Sequence, residues 1–120
     1  MVQKCLKSSL RSLQKSRKKY EADFLVDTGA TDCLAPASAL KKAGIVPRGK
    51  MVYELADGRT VEYDFGLTEI EFMEELTSGR VIFGPGETEP ILGGTALESV
   101  GILVDPTRQT LKRMPAIPLK

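Results

Sequence analysis

Histidine is absent from this sequence. That removes Ser-His-Asp and Cys-His catalysis, the usual zinc sites and histidine general bases. Cysteine is scarce: Cys5 and Cys33 stand alone, with no C-x-x-C. A disulfide framework or thiolate metal site is not expected, and a reducing compartment, the cytoplasm, is the default. No apolar run approaches the ~20 residues of a membrane span. The N-terminus lacks the apolar stretch of a secretory signal. An enzyme built from this chain must work with carboxylates, hydroxyls, lysines or a thiol, and no cofactor or metal is expected.

Acid is missing from residues 1–20, which hold seven Lys/Arg, so the net charge of +1 conceals a basic start on an acidic remainder. Within 51–100, eleven acids face only Arg59 and Arg80. A length of 120 residues bounds the chain to one domain. Residues 1–19 read as a basic arm and 20–120 as the folded domain. In the arm, Val2, Leu6, Leu10 and Leu13 follow at spacings of four, four and three, a thin helical stripe interrupted by serines. The arm is expected to be a marginal helix or disordered. Its charge alone offers a weak case for nucleic acid or acidic lipid, and no nucleic-acid partner is expected of the domain.

From Tyr20 the pattern turns to strands. Ala22, Phe24 and Val26 alternate with Glu21, Asp23 and Leu25, and the strand runs into Asp27-Thr28-Gly29-Ala30-Thr31. Pro36 opens a short helix over Ala37–Lys42, stopped by Gly44. Met51–Phe65 reads as a hairpin. A three-residue loop at Ala56-Asp57-Gly58 puts Met51, Tyr53, Leu55, Val61, Tyr63 and Phe65 on one face, whereas a two-residue loop mixes the faces. Leu67–Met73 is a further strand, Thr77-Ser78-Gly79 a turn and Arg80–Phe83 the returning strand. Glu69, Glu71, Glu74 and Glu75 read as a solvated sheet edge. Pro90–Gly94 is a short apolar run, and Thr95 is expected to cap a helix over 96–100 closed by Gly101. Strands follow at Ile102–Val104 and Thr110–Met114. Strand, glycine turn, short helix and Gly-Ile thus occur twice, a weak internal echo pointing to a closed β body.

Asp27-Thr28-Gly29 carries the chemistry. Gly29 lets the chain bend and turn its N–H toward Asp27, while the Thr28 hydroxyl can bind neighbouring backbone and fix the loop. Asp32, Asp57, Asp64 and Asp105 lack a glycine turn after a strand. Asp57 suits turn chemistry, Cys33 a buried structural thiol and Cys5 an exposed one.

Leu25-Val26-Asp27-Thr28-Gly29-Ala30-Thr31, followed by Ile91-Leu92-Gly93 and Leu97, resembles the retropepsin-like aspartic proteases over about Tyr20–Met114. The resemblance implies a mainly β fold, a closed retropepsin barrel with a flap hairpin and one or two short helices. It implies that Asp27 is the catalytic carboxylate, supported by Thr28 and Gly29. It puts Ala30, Thr31, Asp32, Ile91 and Leu92 along the substrate cleft, and the flap tip at Ala56, Asp57 and Gly58. The tip departs from the double glycine of the viral enzymes. Gly94-Thr95 replaces the Arg-Asn pair that follows the corresponding glycine in several viral members. Two close carboxylates must share a proton to activate water and polarise a carbonyl. One such loop per chain implies a homodimer acting on a peptide or protein substrate. A catalytically silent dimerisation or peptide-binding module is the alternative.

Overall fold

The computed structural model describes residues 5–14, 17–105, 107–108 and 110–119. Nine strands and two short helices follow in the order β1 (Cys5–Ser12), β2 (Lys19–Asp27), β3 (Cys33–Pro36), α1 (Ala37–Lys42), β4 (Gly49–Glu54), β5 (Thr60–Phe72), β6 (Glu75–Gly84), β7 (Ile91–Gly93), α2 (Gly94–Ser99), β8 (Ile102–Asp105) and β9 (Thr110–Arg113). The sheet order is β1-β2-β7-β3-β6-β5-β4, and β1 also pairs with β5. That extra pairing closes six strands into a barrel and leaves β4 outside the ring on β5. A separate two-stranded sheet joins β8 to β9.

The first strand corrects the reading of the basic arm. Cys5–Ser12 is neither helical nor disordered: it pairs antiparallel with β2, Leu10 opposite Tyr20, and with β5, Leu10 opposite Ile70. Four residues bring a side chain back to the same face of a strand as well as nearly one turn around a helix. The spacing of Leu6 and Leu10 therefore fits both. Ser8 decides the outcome: it lies between them on the inward face, buried, with its hydroxyl donated to the Leu6 carbonyl at 3.0 Å. Thr68 on β5, equally buried, donates its hydroxyl to the Arg11 carbonyl at 2.7 Å. Short polar side chains thus enter the core face by bonding nearby carbonyls. The parts of the arm reading that concern residues 1–4 and 15–16 lie outside the described residues.

The hairpin of β4 and β5 has the three-residue register. Met51 faces Tyr63 and Tyr53 faces Val61, the Leu55 N–H donates to the Arg59 carbonyl at 2.7 Å, and Gly58 takes φ +89°. The turn expected at Thr77–Gly79 is elsewhere. β5 runs on to Phe72 and turns through Met73 (φ 51°) and Glu74 (φ 63°), so Gly79 lies mid-strand opposite Thr68. Two consecutive left-handed residues make a tight two-residue hairpin, with neither of the glycine or asparagine residues that usually mark one. Glu69 and Glu71 consequently sit on a strand paired on both sides and not on a sheet edge. α1 occupies its expected residues, and Gly44 follows it at φ 80°. α2 begins at Gly94 after Gly93, and no side chain caps it, so Thr95 lies inside the helix.

Phe24, Val26, Leu10, Ile70, Val81 and Leu92 fill the barrel, while Leu40, Leu97 and Ile102 seat both helices and β8 against it. Among the described residues, no helix is long and apolar enough to cross a membrane.

Candidate active site

β2 delivers Asp27 to the barrel's end. Leu25, Val26 and Asp27 run parallel to Ile91, Leu92 and Gly93 of β7, so the strands of the two echoed segments lie side by side. Beyond Asp27 the chain turns at once: the Ala30 N–H returns to the Asp27 carbonyl at 3.1 Å, and the Gly29 N–H donates to Asp27 Oδ1 at 2.9 Å. The carboxylate is therefore aimed by its own loop. Asp27 is half-buried, while Thr28 and Gly29 are exposed.

The glycines after Leu92 clamp this loop from behind. The Gly94 N–H donates to the Ala30 carbonyl at 2.7 Å and the Thr95 N–H to the Thr31 carbonyl at 3.2 Å. A Cβ on Gly93 would stand 2.5 Å from the Asp32 carbonyl oxygen. Only a residue without a side chain allows that approach. Cys33, next along, is buried, and burial above all pushes its thiol up to about 11. It behaves as a small core residue.

A cleft of about 410 Å³ separates this loop from the β4–β5 hairpin. Gly29, Ala30, Thr31 and Asp32 line one side, and Val52, Tyr53, Glu54, Leu55 and Tyr63 the other, with Leu34 and Ile82 completing the wall. Across it the Tyr53 hydroxyl donates to Asp32 Oδ2 at 3.3 Å. Burial holds the Tyr53 phenol above its usual range; the charge of Asp32 and its hydrogen bond add to this, and Arg80 opposes it.

The structure thus gathers Thr28 and Gly29 around Asp27, and Gly29, Ala30, Thr31 and Asp32 along the cleft. It does not bring the rest there. Ala56, Asp57 and Gly58 sit exposed at the hairpin tip, outside the cleft lining. Asp57 Oδ1 accepts the Arg59 N–H at 3.0 Å and Oδ2 accepts Arg59 Nε at 2.7 Å, contacts that hold its carboxyl below the ordinary range. Leu92 is a core residue, 0% exposed, and Ile91 is half-buried behind the loop. Both support the loop through β7 and neither lines the cleft. Tyr53 was missed as a partner of Asp32, although the three-residue register already put it on the face of the hairpin shared with Leu55 and Tyr63. Among the described residues, no group of three or more acidic, thiol or imidazole side chains is arranged to hold a metal.

The model of the aspartyl protease family matches residues 16–105. The chain belongs to that family, and its fold is retropepsin-like. The solution structure of the simian foamy virus (mac) protease superposes with a TM-score of 0.55 at 16% identity, covering 78% of this chain and 91% of that one. At that identity the likeness is one of fold. The crystal structure of the retroviral protease-like domain of Ddi1 from Leishmania major gives a TM-score of 0.48 at 15% identity, covering 94% and 90%. No curated protein matches the chain by sequence.

Proposed function

We propose that the protein is an aspartic endopeptidase that acts as a two-fold homodimer, each copy giving one Asp27 to a shared dyad. The carrying observation is the carboxylate of Asp27, fixed at 2.9 Å by the Gly29 N–H in a loop whose Thr28 and Gly29 are exposed. One ionised Asp27 takes a proton from water while its protonated mate polarises the peptide carbonyl, and the two share that proton because close carboxylates cannot both ionise. The second carboxylate must come from another chain, because this chain holds one Asp-Thr-Gly loop. Asp32 holds Tyr53, Asp57 holds Arg59, Asp64 holds Lys50 at 2.8 Å, and Asp105 caps the Thr107 N–H at 3.0 Å. Water is the nucleophile, so the reaction calls for no cofactor.

Thr28 supports the loop, and the β4–β5 hairpin serves as the flap over a peptide lying in the cleft. The apolar walls at Leu34, Leu55 and Ile82 suit apolar side chains flanking the cut. Cleavage of a broad peptide library at acid pH, with and without pepstatin, tests this reading. Wild type is expected to cut in a pepstatin-sensitive way and Asp27→Asn to fall to background. A wild-type dimer that cuts nothing would make the chain a silent binding module on the same fold.

A further inference from the structure

Tyr53 and Asp32 meet across the cleft from different parts of the chain, β4 and the loop beyond Asp27, at 3.3 Å. β4 stands at the end of the sheet order with β5 as its strand neighbour. Its Val52 is 64% exposed. The backbone ladder therefore fixes β4 to β5, while how closely the hairpin lies over the active-site loop depends on side chains reaching across. Tyr53 is placed to do this: its ring stands on the face shared with Leu55 and Tyr63, and its hydroxyl reaches a carboxylate five residues past Asp27. Arg80, the cation near the pair, has its guanidinium 4.7 Å over the Phe65 ring. At 3.3 Å the hydroxyl–carboxylate contact is longer than the shortest charge-assisted bonds, so it can hold the hairpin and still be broken at modest cost.

We propose that the Tyr53–Asp32 contact is a latch that holds the hairpin down over the cleft, and that an entering peptide must break it. Tyr53 is then a positioning residue: it acts through the hairpin and not on the reacting atoms. A closed latch lowers apparent peptide affinity by the fraction of molecules that are open. Removing the hydroxyl should therefore improve binding, the reverse of what loss of a substrate contact does. The statement about peptide entry rests on the protease reading; the latch itself does not.

The test combines relaxation dispersion at the Asp57 and Gly58 amides with peptide kinetics, using Tyr53→Phe, Asp32→Ala and the double variant. Tyr53→Phe removes one oxygen and leaves the ring, so it keeps the test independent of folding. The open population at the hairpin tip is expected to rise roughly twofold to fivefold in Tyr53→Phe. Asp32→Ala should match it, and the double variant should add nothing further, because both remove the same contact. KM should fall in Tyr53→Phe, with the gain in kcat/KM coming from KM. Unchanged tip motion in Tyr53→Phe, or additive effects of the two substitutions, would overturn the latch. Faster opening with a KM that rises or stays fixed would overturn the claim that peptides break it. If no peptide is cut by any form, the protease reading fails, and the tip motion still decides the latch.

Discussion

Asp27 owes its position to a backbone amide two residues ahead and to a glycine on another strand. Gly29 aims the carboxylate, and Gly93 lets β7 approach the loop closely enough to carry the Gly94 and Thr95 bonds. Both were legible as glycines following apolar strands; the distance between the loops was not, since it depends on the parallel pairing of β2 and β7. Cys33 makes the clearest prediction at this scale. Its folded value, about 11, lies above the ordinary 9.0, so the fold favours the neutral thiol. The stability it contributes is complete below pH 9, where both states are protonated, and is lost as pH rises from 9 toward 11 and the unfolded thiol ionises. The loss should reach on the order of 2–3 kcal/mol. Urea titrations of wild type and Cys33→Ser between pH 8 and 11 should show a loss larger by about that amount in wild type, over the loss that the raised Tyr20 and Tyr53 phenols give in both. Cys5, exposed, should alkylate in the native protein near pH 8 while Cys33 labels only after unfolding.

Strand β1 and the β5–β6 turn are the elements that sequence patterning misplaces, for different reasons. β1 is hidden because Leu6 and Leu10 repeat at a spacing shared by strand and helix, and because its intervening core residue is Ser8. The turn is hidden because Met73 and Glu74 carry no turn signature, while Gly79 supplies a false one. A Cβ at Gly79 would meet only Ile70 Cδ1, at 3.7 Å, so nothing in the packing there demands glycine. By contrast, the register of the β4–β5 hairpin was readable, since one loop length alone keeps its apolar side chains on one face, although β5 runs on without a break through the two strands expected at 60–65 and 67–73. Leu10→Ala tests the strand: a fully buried Leu10 closing β1 between β2 and β5 should cost about 2–5 kcal/mol in denaturant unfolding. On a solvated arm the same change would cost almost nothing. Glu74→Gly tests the turn. Relieving a left-handed glutamate gains about 1–2 kcal/mol, and the extra freedom of glycine in the unfolded chain returns part of it. A net stabilisation of about 0.5–1 kcal/mol is expected from thermal unfolding. Arg113 of β9 pairs with Glu75 and donates to the Met73 carbonyl, contacts the substitution leaves in place.

At the scale of the whole molecule, the barrel sets out the one loop on which the proposed hydrolysis rests in a chain without histidine. Six strands close on themselves, and the parallel β2–β7 pair opens two loops at one end, one bearing Asp27 and the other bracing it. The fold class was readable from alternating strands and two glycine-ended apolar runs. A closed β body was readable too, from the internal echo and the family resemblance; the strand that closes it, β1, was not. Charge divides along related lines: Lys7 and Arg11 of β1 accompany a body rich in exposed acids, with Arg11 and Glu69 in register across β1 and β5. The proposed mechanism takes its second carboxylate from another copy of the chain. Mixing subunits measures that directly: wild type held at fixed concentration, with increasing Asp27→Asn, followed by peptide cleavage. If each active site needs two Asp27 side chains, activity should fall to about half at equal concentrations and toward zero in excess variant, as wild-type chains enter inactive mixed dimers. Activity that stays constant however much Asp27→Asn is added would contradict the shared dyad.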